Sequence, residues 1–219
     1  MSIQKAIVLG ATGTVGKELI EKLIENKNFT EIISLDLKPS GLRNPKLTEH
    51  IVDFDKPETW KNVVQGDVLF STWGSTTVEQ AKAKTKDEQY EADFTYQYNV
   101  AQIAALNGVT AYVLVSAAGA NVNSNALFLK MKGKLDKAVQ HLPFEYINIL
   151  RPGKLYGKRN DRPLRDRIRI TVVHSLNKIG LLKRFKPIKE KIVAKAMIHA
   201  ARKYHSTIYT LDEVYQLAK

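Results

Sequence analysis

The sequence predicts an α/β protein, a doubly wound parallel sheet with a small C-terminal cap, and three observations carry that expectation. Short apolar runs such as KAIVLG and AYVLVSAAG recur with helical stretches between them. Strands that are apolar without alternation are those buried on both faces, the condition of a parallel sheet covered by helices. A glycine-rich turn, GATGTVG, stands directly between the first strand and the first helix. After Gly157 the alternation stops and basic charge takes over.

The elements follow in order. KAIVLG reads as a buried strand, and the helix after the turn runs through KELIEKLIE, with Leu19, Ile20, Leu23 and Ile24 at helical spacing. EIISLD is a second strand and EHIVDF a third. KPETWKNVV opens a helix with Pro57 near its start, where a missing N–H leaves no bond unmade. DVLFST is a fourth strand, and QYNVAQIAALNG closes a long helix on Gly108. AYVLVSAAG is the fifth strand, ALFLKMKGKLDKAVQHL a helix, and FEYINILRPG a sixth strand that Pro152 ends. Further on, KRNDRPLRDRIRI is a charged loop running into a helix that carries Ile168, Ile170, Val172 and Val173. KEKIVAKAMIHAARKY is another helix, with Ile192, Val193, Ala196, Met197 and Ala200 on one side; TIY is a short strand and LDEVYQLA a terminal helix. Residues 1–219 are expected to form one domain, with 151–219 as a cap on the substrate side.

Composition narrows the classes. With 219 residues the chain can bury a sizeable core, and 44% hydrophobic residues argue against disorder. The absence of cysteine excludes disulfides and thiolate metal sites. The five histidines fall in no metal-like spacing, so no metal is expected. The apolar run Ala6 to Leu9 is too short for a secretory signal or a membrane span, and no later stretch is long enough to cross a bilayer. On these grounds a soluble, cytoplasmic protein is expected. The net charge of +12 is uneven: residues 1–150 hold 16 Lys+Arg against 17 Asp+Glu, whereas 151–191 hold 14 against 3. Such a segment attracts anions. Its aromatics are few, Tyr156 and Phe185, so no base-stacking platform is visible and nucleic acid is not the expected partner.

The glycine turn carries the chemistry. Gly10 and Gly13 let the backbone approach a pyrophosphate, Gly16 lets the helix pack on the strand, and the helix N-terminus supplies N–H donors. Gly10, Ala11, Thr12, Gly13, Thr14, Val15 and Gly16 are therefore the expected dinucleotide contacts. Asp36, 20 residues beyond Gly16, stands where a carboxylate accepts bonds from a ribose 2′-hydroxyl and repels a 2′-phosphate, which favours NAD over NADP. Lys38 and Arg43 follow closely and bear on the opposite choice. Asp53 with Phe54, ending the third strand, and Thr72, Trp73 and Gly74 of STWG, ending the fourth, complete the expected cofactor surroundings.

With GATGTVG, STWGSTT, VSAAGANVNSN, LKMKGKLDKAV and ILRPGKLYGKR in this order from Lys5 to Arg159, the chain resembles an atypical short-chain dehydrogenase/reductase. More narrowly, it resembles the branch of the Tat-interacting-protein oxidoreductases and the small epimerase-like (NmrA-like) proteins. The resemblance implies an NAD(P)-binding Rossmann domain. It also implies a tyrosine and a lysine one helical turn apart after the fifth strand, helped by a serine ending that strand. Carried over, the lysine is Lys132 and the serine Ser116, both expected near the nicotinamide and the reacting atoms. Ala117 stands where a second serine is expected. The tyrosine position is Phe128, which has a ring but no proton to exchange.

Phe128 also falls on an apolar stripe with Met131, Leu135, Val139 and Leu142, as a core residue would. Gly133, inside the helix at a cost of about 1 kcal/mol against alanine, points to close backbone packing. Replacement acid/base groups within reach of the sequence are Tyr156, Asn121, Asn123 and Ser124, although a packed loop ring and a helix N-cap suit Tyr156 and Asn123 or Ser124 equally. Two functional readings stand. One is an oxidoreductase or epimerase-like enzyme on a small substrate, anionic where Arg151, Arg159, Arg162, Arg165 and Arg167 meet it. The other is a dinucleotide-binding regulatory or scaffold protein that has lost catalysis.

Overall fold

The computed structural model describes residues 5–73, 85, 90–156 and 187–219. In chain order its elements are β1 (Lys5–Leu9), α1 (Thr14–Glu25), β2 (Glu31–Asp36), β3 (Leu47–Ile51), β4 (Val68–Ser71), α2 (Tyr96–Leu106), β5 (Ala111–Val115) and α3 (Leu127–Val139). There follow β6 (Tyr146–Arg151), β7 (Leu155–Tyr156), β8 (Ile188–Lys189), α4 (Glu190–Ala200), β9 (Thr207–Thr210) and α5 (Asp212–Leu217). Seven strands form one parallel sheet in the order β3-β2-β1-β4-β5-β6-β9.

Successive strand residues point to opposite faces, and both faces are apolar. Ala6 and Val8 of β1 join a core with Leu19, Ile20 and Leu23 of α1, Val193 and Met197 of α4, and Val214 of α5. Ile7 and Leu9 join a second core with Val100 and Ala104 of α2 and Leu135 and Val139 of α3. This is the doubly wound Rossmann arrangement. The strand order runs outward from β1 in one direction and from β4 in the other, and ligands of such sheets bind at the carboxyl ends where the order reverses.

Two segments differ from expectation. KPETWKNVV forms two separate 3₁₀ turns, Pro57–Thr59 and Lys61–Val63, not a helix. Trp60 between them is buried, packs edge-on against Phe54 and donates from Nε1 to the Asp53 carbonyl at 2.8 Å, so the chain wraps around the indole. The C-terminal elements are also divided. β7 and β8 make a small parallel ladder of their own. By contrast, β9 pairs with β6 as the seventh strand of the main sheet, and α4 packs beside α1. Asn148 of β6 ties these parts together by donating to the Ala200 carbonyl at 3.1 Å. The charged loop after Gly157, the helix expected on Ile168 to Val173, and Gly74 lie outside the described residues. Among the described residues no helix is long and apolar enough to cross a membrane.

Candidate dinucleotide site

The turn between β1 and α1 is built from backbone. Gly10 has φ +90°, and a Cβ there would stand 2.8 Å from the Trp73 amide nitrogen, so conformation and space both demand glycine. A Cβ on Gly16 would overlap the Gly10 carbonyl oxygen and come within 2.8 Å of Ala11 Cα, which seats the first turn of α1 directly on the loop. Gly13 occupies the N-cap with no side-chain bond, and the first turn carries no acidic residue. The amides of such an end have no partner within the helix and favour an anion. Of the neighbours expected at this turn, Val15 is packed into the core while Thr12 and Thr14 are half-buried.

Asp36 closes the turn from the end of β2. It is 1% exposed; Oδ2 accepts from Ala11 N at 2.8 Å, and Oδ1 accepts from Thr12 N at 3.3 Å and Thr12 Oγ1 at 2.8 Å. Burial pushes its carboxyl up, opposed by the Thr12 hydroxyl and the two amides. A carboxylate offers about four acceptor sites, so the brace leaves room on Oδ2. Asp36 is thus a structural strut of the glycine turn, which its sequence position did not show. Thr72 pins the same turn from β4: its Oγ1 lies 2.8 Å from the Gly10 carbonyl oxygen and 3.0 Å from that of Leu9.

The remaining expected contacts separate. Trp73 is half-buried at the end of β4, edge-on to Phe54 at 4.9 Å. Phe54 is itself buried, stacked on Tyr96 at 5.3 Å, and β3 ends at Ile51, so this ring belongs to the core and presents no open face. Asp53 is exposed and accepts from Asp55 N and Lys56 Nζ, the amide chiefly holding its carboxyl below the usual range. Tyr96, whose hydroxyl donates to Asp55, is pushed up to about 12, first by burial and then by that carboxylate.

α3 brings Phe128, Lys132 and Asp136 to one buried face, four residues apart. Phe128 is 8% exposed. Lys132 is 3% exposed, and its ammonium donates to the Trp73 carbonyl over a long 3.5 Å. Burial pulls the Lys132 ammonium down from its ordinary value, opposed by the carboxylates of Asp93 and Asp136. Asp136 accepts from Arg151 Nε at 2.8 Å. Burial pushes the Asp136 carboxyl up, against the Ser116 hydroxyl, Arg151 and Lys132. Arg151 is therefore committed inward to this ion pair, and does not stand free at a pocket mouth as expected; Arg159, Arg162, Arg165 and Arg167 lie outside the described residues. Asp93 sits fully buried in a wide π-type turn, Glu91–Thr95, leading into α2. Gln97 links it to β4, donating to the Asp93 carbonyl at 3.0 Å and accepting from Ser71 Oγ at 3.0 Å.

Ser116 directly follows β5, with its amide bonded to the Leu150 carbonyl at 2.8 Å and the residue 6% exposed. Of the proposed substitutes for a phenol, Tyr156 lies in β7, and the asparagines fold the loop before α3. Asn121 Oδ1 accepts from Asn123 N, and Ser124 Oγ accepts from Ala126 N. Ala126 occupies the α3 N-cap without a side-chain bond, so neither Asn123 nor Ser124 caps that helix. Sequence reasoning missed Asp93, Asp136 and the inward role of Arg151. Asp136, one turn beyond Lys132, carried a readable signal; Asp93 carried none.

The model of a family described as NAD(P)H-binding matches residues 10–203. The chain belongs to that family. It is 34% identical over 161 residues to "Protein FMP52, mitochondrial" of Candida glabrata, covering 74% of this chain and 68% of that protein. It is 30% identical over 202 residues to the protein of the same name from Candida albicans, covering 90% and 87%. Among solved structures, a UDP-glucose 4-epimerase from Thermotoga maritima superposes with a TM-score of 0.69 at 15% identity, over 99% of this chain and 82% of that one. A short-chain dehydrogenase/reductase superfamily protein from Agrobacterium tumefaciens with bound NAD gives 0.70 at 12% identity, over 94% and 77%. These neighbours share the fold of short-chain dehydrogenases and epimerases. The relatives' names point to mitochondria and overturn the cytoplasmic expectation. That expectation rested on a missing secretory signal and membrane span, and neither bears on organelle import, whose signals are amphipathic and basic.

Proposed function

We propose that this member of the NAD(P)H-binding family is an oxidoreductase or epimerase-like enzyme of the atypical short-chain dehydrogenase/reductase kind. In this reading it uses NAD(H) on a small substrate, within the branch of the Tat-interacting-protein oxidoreductases. The observation that carries the reading is the glycine turn. Bare backbone meets an uncapped α1 N-terminus, with Asp36 and Thr72 holding the loop in place. That arrangement fits a dinucleotide: with the Gly13 amide bonded to the Gly10 carbonyl, the amides of Thr14, Val15 and Gly16 suit the pyrophosphate, and the remaining acceptor site of Asp36 suits a ribose hydroxyl. Lys132, with donors to spare beside Trp73, suits the nicotinamide ribose. The bound dinucleotide would supply hydride chemistry. The chain's own groups orient it and exclude water.

NAD is preferred because a carboxylate at the end of β2 opposes a 2′-phosphate. Calorimetric titration with NAD(H) and NADP(H) tests the reading. Tighter NAD(H) binding that weakens in Gly13→Val supports it, and failure of either dinucleotide to bind refutes it. Phe128 favours the second reading, in which the site binds the dinucleotide for regulation without turnover. NADH oxidation across a panel of aldehydes and ketones, lost in Lys132→Ala, decides for the enzyme.

A further inference from the structure

Resting on the oxidoreductase reading, one question is what moves the proton when a phenyl ring holds the place of a phenol. Lys132 is almost wholly removed from solvent, and the 3.5 Å contact to the Trp73 carbonyl uses at most one of its three donors. An ammonium buried without matching acceptors is costly. Two carboxylates offset that cost, Asp93 facing it from the turn before α2 and Asp136 from one turn further along α3. Beside them, Asp136 Oδ1 and the Ser116 Oγ next to it are buried and form no hydrogen bond of normal geometry among the described residues. Buried polar atoms are normally satisfied. A loosely matched pair of this kind, one helical turn from Lys132, marks a place made for ordered water or the polar atoms of a ligand.

The geometry points to Lys132 as the proton-transferring group of this site, in place of the absent phenol, with Asp93 and Asp136 as positioning residues that hold its ammonium. When a carbonyl carbon takes hydride from the reduced dinucleotide, its oxygen needs a proton. One N–H bond of Lys132 breaks, an O–H bond forms, and the neutral amine regains a proton from water. In the oxidative direction the neutral amine would take the alcohol proton while the hydride passes from carbon to the oxidised dinucleotide. Efficient transfer needs a group poised near the working pH. Burial moves Lys132 that way, and the two carboxylates keep it from losing its charge altogether. Arg151, bonded to Asp136, limits how much of that carboxylate's charge Lys132 feels.

The test reads the lysine directly. In the full-length chain carrying ¹³Cε-lysine, the Lys132 resonance is assigned by its loss in Lys132→Arg and titrated by NMR. Its midpoint is expected below that of the surface lysines, and lower still by about one unit or more in Asp93→Asn and in Asp136→Asn. A wild-type midpoint shared with the surface lysines overturns the proposal, as does a midpoint that stays in place in both variants; the wild-type titration needs no variant to fold. NAD(H) titrated into the same sample separates the two readings. A low midpoint without binding refutes the dinucleotide site alone, whereas binding with an ordinary midpoint refutes only the role of Lys132.

Discussion

Replacing Gly133 by alanine tests the packing that holds Lys132 in place. A Cβ at this position would overlap the Asn121 carbonyl carbon and lie 2.6 Å from the amide nitrogens of Asn121 and Val122. Carbon contacts are most favourable at about 3.5–4.0 Å, so helix and loop must part by about 1 Å. The obstacle is backbone, tied to α3 by the bond from Asn121 N to the Leu129 carbonyl at 3.1 Å, and cannot swing aside as a side chain would. Overpacking of this kind costs about 1–3 kcal/mol, while alanine's helix propensity returns about 1 kcal/mol. With rigid backbone on both sides, the upper part of that range applies, leaving a net loss of about 2 kcal/mol. For a domain of this size that lowers Tm by about 4–8 °C. Thermal unfolding followed by circular dichroism measures it. A Gly133→Ala protein as stable as the parent, or more so, refutes the close approach of α3 to the 119–124 loop.

Phe128→Tyr restores a phenol one turn from Lys132. General acid catalysis contributes about 10²–10⁴-fold, so carbonyl reduction with NADH is expected to rise by about 10²-fold; intact NADH binding with unchanged turnover argues against a site complete but for that hydroxyl. Lys132→Met removes a charged donor worth about 1.5–3 kcal/mol, and calorimetry should show NAD(H) binding weakened about ten- to a hundred-fold, whereas unchanged affinity places Lys132 away from the ligand. The same pair of proteins should differ in pH dependence. Because the folded state holds the Lys132 proton less tightly than the unfolded chain, it binds fewer protons between the lowered folded value and 10.5, so stability from this group rises with pH across that window. Urea unfolding should show wild type gaining on Lys132→Met as pH climbs through it, and parallel curves contradict the burial of the charge. Trp73 fluorescence should be quenched by NADH and the quench lost in Trp73→Phe, with Trp60, fully buried, reporting only unfolding.

The sheet was legible because its strands announce themselves locally. Apolar runs without alternation mean burial on both faces, and GATGTVG between such a run and a helix leaves few other uses for three glycines. KPETWKNVV misled because proline and spacing favour a helix, while the tryptophan in its middle had a buried cavity and a carbonyl to reach, which composition does not reveal. The C-terminal strand TIY was readable as a strand, but its neighbour was not. Only the pairing of Asn148 with Thr207 and of Ile149 with Ile208 makes it part of the main sheet.

The sequence alone determined the glycine turn, the one-turn spacing of Phe128, Lys132 and Asp136, and the lack of a phenol where the resemblance calls for one. These are properties of short stretches, set by helical period and backbone sterics. The tertiary structure decided the partners. It turned Asp36 into the brace of the loop beside it, drew Arg151 inward to Asp136 and carried Asp93 from a distant turn to face Lys132. Which charge meets which depends on the order of strands in the sheet and on the helices that cross it. The period of a single segment holds no record of its neighbours.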